Sequence, residues 1–390
     1  MPIFEKPVDE ISRSDVEQLV SEGIQEGKQI EYKAYLNLDD DSADHKATLL
    51  AEATSFANSN GGHLIVGVPD DEGRPKHAAG FPVDDVDQTI EQWANVLRRS
   101  TDPPLPTSSF DISAIPTEDD RYLVVVGVDR SWRSPHRVTT DDRFYARSPS
   151  GRFPLDVGEI RRRILQTKQQ GEKFKEFRND RIATIAGDGE RLDLTPSPKF
   201  VLHVLTADSL IAGNQVDLST ADLDHESRPP FFEDSTSYGG LDEVYTVDSI
   251  TVIRGSTDEE VRKYVRTFRG GVIEALTKYV FTSDPKHGSP YLSSENVRTA
   301  LENTLPDYIN YLQRQDLRPP LYVFASIVGA PEFLVKRDSK EDEYDRVPFG
   351  NQVLTLPEVT IDSYSADPDS AIDELMDLVW NAGGKSGEPR

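Results

Sequence analysis

The run "HKATLLAEATSFANSNGGHLIVGV", His45 to Val68, constrains the fold more than any other stretch of the chain. Leu49, Leu50, Ala53, Phe56 and Ala57 recur at helical spacing, and the Asn-Gly-Gly after them reads as a helix C-cap. "HLIVGV" then reads as a buried strand, and "PDDEGRP" turns out of it. A helix leading directly into a buried strand sets an α/β core, and the flanking segments fit one. Residues 14 to 22 read as a short helix, and "KQIEYKAY" alternates as a strand with Ile30 and Tyr32 on one face and Glu31 and Lys33 on the other. A helix is expected from about Val86 to Arg99, followed by strands at "SSFDISAI", "RYLVVVGV" and "RFYARS" and an Arg-rich helix from about Leu155 to Gln166.

A length of 390 residues suits two domains of ordinary size. The first is expected over residues 1–168. Residues 169–198 are polar, carry Gly-Asp-Gly and close on two prolines, so they read as a linking helix and loop. Residues 199–390 read as an α+β domain. It has strands at "KFVLHVLTA" and "VYTVDSITVI", a hairpin turning at Arg269-Gly270-Gly271, a helix around "SENVRTALENTLPDYINYLQ", the strand "PLYVFASIV" and a final helix "SAIDELMDLVWNA". The overall class is α/β (α+β): a mixed sheet with flanking helices, then a second α+β domain.

Composition removes several kinds of chemistry. With no cysteine, disulfides, thiolate metal sites and cysteine nucleophiles are excluded. The seven histidines show no paired ligand spacing. No apolar run approaches the roughly 20 residues that span a bilayer, and "MPIFEKPVDE" lacks the layout of a signal peptide. A cytoplasmic protein without membrane contact is expected. Acidic residues outnumber basic ones 69 to 43, for a net charge of −26. Spread along the chain, this excess matches intracellular proteins of extreme halophiles, where molar salt screens the self-repulsion. The C-terminal "GGKSG" echoes a phosphate-binding loop, but it lacks the glycine five positions earlier and has no room for a following helix, so no ATP site is expected.

Against this acidic background, "RSWRSPHRVTTDDRFYARSPSGRFPLDVGEIRRR" reverses sign, with nine arginines against four acids. A local basic stretch in an acidic chain points to an anionic partner. Interleaved Trp132, His136, Phe144 and Tyr145 offer rings for base stacking. Arg143, Tyr145 and Arg147, alternating on a strand, are expected to contact nucleic acid, with Arg133, His136 and Arg137 beside them. Arg161 to Arg163 read as a solvated helix face.

Taken in order, Glu26-x-x-x-x-Glu31-Tyr32-Lys33, "SFANSNGGHLIVGVPDDEG", "VVVGVDRSWRSPHRV" and "DRFYARSPSGR" resemble the Schlafen AlbA_2 domain, a nucleic-acid-binding family, over roughly residues 15 to 165. Tyr32 stands where the family pattern usually has Phe. Within that motif Asn58, Gly61, Gly62 and Gly67 read as structural. The resemblance implies that Glu26, Glu31 and Asp70 form a metal-dependent RNA-cleaving centre with Mg²⁺ or Mn²⁺, and Lys33 could contact the phosphate. The alternative is a non-catalytic DNA-binding regulator whose C-terminal domain senses a signal or dimerises. RNA is the favoured partner and DNA the other. Animal relatives line their cleft with two lobes, so a homodimer would supply the second lobe here.

Overall fold

The computed structural model describes residues 6–38, 43–118, 120–187, 189–211, 216, 218, 228–232, 241–254, 260–283, 290–330, 332–336, 347–348, 352–364 and 366–389. They divide into two compact units, Met1–Gln169 and Gln170–Arg390.

In the first unit the order is α1 (Arg13–Ser21), β1 (Ile30–Lys33), α2 (Ala43–Ala57), β2 (Gly62–Val66), β3 (Asp70–Asp71), β4 (Arg74–Pro75), β5 (Phe81–Pro82), α3 (Val86–Arg99), β6 (Thr101–Asp102), β7 (Phe110–Pro116), β8 (Arg121–Val128), β9 (Arg137–Val138), β10 (Arg143–Ser148) and β11 (Gly151–Pro154), and α4 (Val157–Ala186) begins in this unit and ends in the second. The main sheet runs β1-β2-β8-β5 with β7 also on β8, and β1 and β2 pair in parallel, so the sheet is mixed. Both faces are covered. Ile30, Tyr32, Ile65 and Val125 pack with Val16 and Leu19 of α1 on one side. Leu64, Val66, Val124 and Val126 pack with Leu49, Leu50, Ala53 and Phe56 of α2 on the other. Capping is local: Ser12 and Asp15 close a capping box on α1, and the Asp85 side chain accepts the Gln88 N–H at the start of α3. A second small sheet, β11-β10-β9-β6, lies against α2.

The Arg-rich helix extends well past its expected end near Gln166, because α4 continues through most of the stretch read as a linker. Its Gln, Lys, Glu and Arg residues are good helix formers, and Gly171 alone does not break the run before Gly187.

The second unit contains β12 (Lys199–Thr206), β13 (Leu241–Tyr245), β14 (Ser249–Arg254), β15 (Lys263–Phe268), β16 (Val272–Thr277), β17 (Phe281–Ser283), β18 (Pro290–Ser293), α5 (Ser294–Arg314), β19 (Leu321–Val328), β20 (Glu332–Lys336), β21 (Val347–Pro348), β22 (Val353–Thr355), β23 (Val359–Ile361) and α6 (Pro368–Ala382). An eight-stranded sheet, β13-β14-β15-β16-β12-β19-β22 with β23 on β19, carries the core, and α5 and α6 contribute Leu301, Tyr308, Leu375 and Trp380 to it. "VYTVDSITVI" is a hairpin rather than one strand. Thr246 Oγ1 donates to Asp248 Oδ1 at 2.6 Å and accepts the Ser249 N–H at 3.0 Å, which turns the chain there. Among the described residues no helix is long and apolar enough to cross a membrane.

Candidate functional site

Glu31 lies on the sheet face that α2 covers, so the face opposite Ile30 and Tyr32 is not solvent. Its carboxylate is 9% exposed and held on both sides: Lys33 Nζ donates to Oε1 and Arg147 Nη2 to Oε2, each at 2.5 Å. Burial opposes its charge, but Lys33 and then Arg147 outweigh that and keep its carboxyl below the ordinary glutamate value. Lys33 Nζ also donates to the Tyr32 carbonyl at 3.0 Å and lies 3.8 Å from Glu26 Oε1.

Glu26 and Asp70 are brought together by a tight hairpin between β3 and β4. Glu72 and Gly73 both have positive φ, as two-residue hairpin loops require, and a Cβ on Gly73 would sit 3.4 Å from the Glu26 side chain. Gly73 ties the two acids by backbone: its carbonyl accepts the Glu26 N–H at 2.8 Å, and its N–H donates to Asp70 Oδ2 at 3.0 Å. Glu26 Oε1 accepts the Tyr32 N–H at 3.0 Å. Burial first, and then the charges of Glu31 and Asp70, push the Glu26 carboxyl up. The three acids are thus neighbours, but they do not offer an ion three free carboxylates. Glu31 has both oxygens engaged by cations, and among the described residues no three His, Cys, Asp or Glu side chains form a group that could hold a metal.

Arg147 requires a correction. Expected on a nucleic-acid-facing strand, its side chain is fully buried and serves as the electrostatic centre of the domain. Besides Glu31 it donates to Glu52 Oε2 at 2.6 Å and to the Gly27 carbonyl at 2.9 Å, and its guanidinium lies over the Phe56 ring at 4.3 Å. Its backbone N–H donates to Ser59 Oγ at 2.9 Å. The alternation of β10 was legible, but α2 packs on the face that carries Tyr145 and Arg147. Tyr145 is likewise 9% exposed, with its hydroxyl donating to Asp141 Oδ2 at 2.5 Å, so it is no open stacking platform. Arg143, at the end of the same strand, is exposed.

His136 is the second correction. It is fully buried, with Nδ1 2.7 Å from the Pro103 carbonyl and Nε2 2.6 Å from Ser131 Oγ, and burial holds its pKa below the usual histidine value. An imidazole so enclosed cannot stack on a base. Arg137 is shared between Asp102 at 3.0 Å and Asp142 at 2.7 Å, and Arg133 is exposed. Asn58 fastens this loop to α2: Nδ2 donates to the carbonyls of His136 and Tyr145, both at 2.9 Å, and Oδ1 accepts the His136 N–H at 2.7 Å. Gly61 N–H donates to the Phe56 carbonyl at 3.1 Å, and Gly67 N–H to the Lys33 carbonyl at 2.8 Å. A Cβ on Gly62 would meet the Phe56 ring at 2.4 Å, so the helix can return to the sheet only over a glycine.

Glu52 and Arg152 belong to this centre and were missed. Glu52 is 1% exposed on α2. Its carboxyl is pushed up, first by burial and then by the charge of Glu31, while Arg152, Arg147 and Lys33 counter both. Arg152 stands directly opposite Arg147 in the β10–β11 ladder, with Nε 3.3 Å from Glu52 Oε1. The available signal was a single acid inside an otherwise apolar and small-residue helix, "LLAEATSFA".

The comparisons agree with this reading of the motifs. Residues 26–156, about a third of the chain, match the family described as Schlafen, AlbA_2. No curated protein matches. One solved structure is the crystal structure of the DIP2311 protein from Corynebacterium diphtheriae, at 19% identity over 37% of this chain and 26% of that one, with a TM-score of 0.26. The chain therefore spans about a quarter of the length of that protein, and so slight a likeness carries no argument. Residues 26–156 of the N-terminal unit are thus matched as a Schlafen, AlbA_2 domain, and the Glu26–Glu31–Lys33 segment, the Asn58 clasp and the Arg147 centre all lie within the matched span.

Proposed function

We propose that the N-terminal unit binds nucleic acid, RNA in preference to DNA, along the β10–β11 hairpin and the neighbouring rim of the acidic centre. The observation that carries this reading is the placement of Arg143 and Arg152 at the solvent edge of a hairpin whose inner positions, Tyr145 and Arg147, are committed to the core. A chain of net charge −26 keeps exposed guanidinium groups here beside carboxylates already neutralised by Arg147. A polyanion can approach such a rim without meeting bare negative charge. The test is a fluorescence-anisotropy titration of the full chain with single-stranded RNA, a tRNA-like hairpin RNA and duplex DNA at several KCl concentrations. Binding to none of them at any concentration overturns the reading.

The second reading, a Mg²⁺- or Mn²⁺-dependent endoribonuclease, is favoured by the proximity of Glu31 and Asp70 to Glu26, whose carboxyl their charges push up. Against it stands the commitment of both Glu31 oxygens to Lys33 and Arg147. Incubating each RNA with the protein in Mg²⁺, in Mn²⁺ and in chelator separates the two. Cleavage that chelator stops and that Asp70→Asn abolishes establishes the nuclease. Binding without cleavage under every condition leaves the binding reading, with a non-catalytic DNA-binding regulator as its DNA form.

A further inference from the structure

Two arginines face each other across an antiparallel pair, Arg147 on β10 and Arg152 on β11. Like charges directly opposite are unfavourable unless an anion lies between them, and Glu52 is that anion, at 2.6 Å from Arg147 and 3.3 Å from Arg152. The contacts continue as an alternating chain: Lys33 to Glu31 at 2.5 Å, Glu31 to Arg147 at 2.5 Å, Arg147 to Glu52, and Glu52 to Arg152. Only the two ends reach solvent. The Arg147 side chain is 0% exposed, whereas Lys33 is 28% and Arg152 35% exposed. The two end cations pair with carboxylates held by the two Nη groups of one guanidinium, so Arg147 alone sets the spacing between the ends of the row.

Each end also keeps donors in reserve. Lys33 Nζ hydrogen-bonds to Glu31 and to the Tyr32 carbonyl, and its third proton has only the Glu26 carboxylate near it, at 3.8 Å and so beyond hydrogen-bond distance. Arg152 turns Nε towards Glu52 and its face towards the Tyr145 ring at 5.5 Å, and among the described residues its two Nη groups have no acceptor. Glu52 and Tyr145 thus fix the guanidinium plane while leaving the outer donors free.

We propose that Lys33 and Arg152 form a two-point seat for one phosphate of the bound strand, each aimed by a buried glutamate, Glu31 and Glu52, with Arg147 holding the two glutamates apart. This rests on the nucleic-acid reading and deepens it, naming the phosphodiester backbone as the group recognised here. Because the buried acids are neutralised from within, the outward donors present positive charge to the ligand, and a tetrahedral phosphate can accept from both.

The experiment uses the full chain and two probes: a fluorescent single-stranded RNA oligonucleotide followed by anisotropy from 0.1 to 1 M KCl, and inorganic phosphate followed by ³¹P line broadening. Arg152→Met and Lys33→Met are compared with wild type and with Arg162→Ala, on the exposed face of α4, and melting curves check folding. Each seat variant is expected to raise the oligonucleotide Kd roughly tenfold and to lower the salt slope by about 0.7, with Arg162→Ala near wild type. The double variant should lose less than the product of the singles, since one phosphate is shared. Arg152 is exposed, so Arg152→Met decides the matter even if Lys33→Met unfolds. An unchanged Kd and salt slope in Arg152→Met overturn the seat and leave the nucleic-acid reading standing. Phosphate broadening that depends on Arg152, without oligonucleotide binding by wild type, overturns the nucleic-acid reading and leaves the seat. Failure of both probes with wild type overturns both.

Discussion

Arg147 Nη2 meets Glu31 Oε2 at 2.5 Å across 116 residues of sequence, joining the last strand pair of the N-terminal unit to its first strand. One guanidinium thereby fastens β10 to β1 and, through Glu52, to α2. Removing it leaves the buried carboxylates of Glu31 and Glu52 with no cation between them, each paired only on its other side, by Lys33 and by Arg152. Arg147→Met is expected to destabilise the unit by about 3–5 kcal/mol, the usual cost of orphaning a buried ionic partner. Arg147→Lys should recover little of that, because a single ammonium cannot reach both acids with the fork of a guanidinium. Urea unfolding followed by circular dichroism measures the difference.

The same contact separates Arg147 from Arg143 in function. Arg143→Ala should weaken RNA binding severalfold at unchanged melting temperature, since Arg143 is exposed. Any binding loss in Arg147→Met should accompany a lowered melting temperature, and anisotropy and thermal melts on the same samples distinguish the two.

His63 sets a pH dependence. Burial lowers its pKa from 6.5 to about 4, so in the folded protein the imidazole stays neutral where the unfolded chain would protonate it. Between about pH 6.5 and 4 the unfolded state binds the extra proton, so stability falls as the pH drops through that window and this contribution levels off below it. The full effect is about 3 kcal/mol. His63→Gln should flatten the stability-versus-pH curve in that interval, which urea midpoints at a series of pH values would show.

In the second unit Glu274 is fully buried and ionised. Arg181 donates to both its oxygens, at 2.8 and 2.9 Å, Tyr264 Oη donates at 2.8 Å, and His203 Nε2 lies 3.0 Å away. Glu190 shares Arg181 and Arg266 with it. Burial opposes the charge of Glu274, yet His203 and Arg181 hold its carboxyl far below the ordinary glutamate value. Glu274→Gln should therefore cost about 3–5 kcal/mol, read as an earlier unfolding transition for this unit in differential scanning calorimetry.

Sequence alone determined the elements whose signal is local. The α2–Gly61-Gly62–β2 unit, α3, β8, the β15–β16 hairpin and α6 lie where period and turn residues put them, because helical spacing, alternation and positive-φ glycines are properties of a few consecutive residues. The family motif, with Glu26, Glu31, Lys33 and Asp70 in order, was legible for the same reason. Tertiary structure decided which face of each strand is buried. Alternation places Tyr145 and Arg147 on one side of β10, but only the packing of α2 against that side makes it the inside, turning two expected nucleic-acid contacts into core residues. His136 went the same way once the Asn58 clasp enclosed its loop. Glu52 and Arg152 were hidden because their roles exist only through Arg147, 95 residues from one and across a strand pair from the other. A buried charge is stable only beside its counter-charge, and these partners are distant in sequence, so the assembled fold selected which charges form the centre and which stay at its rim.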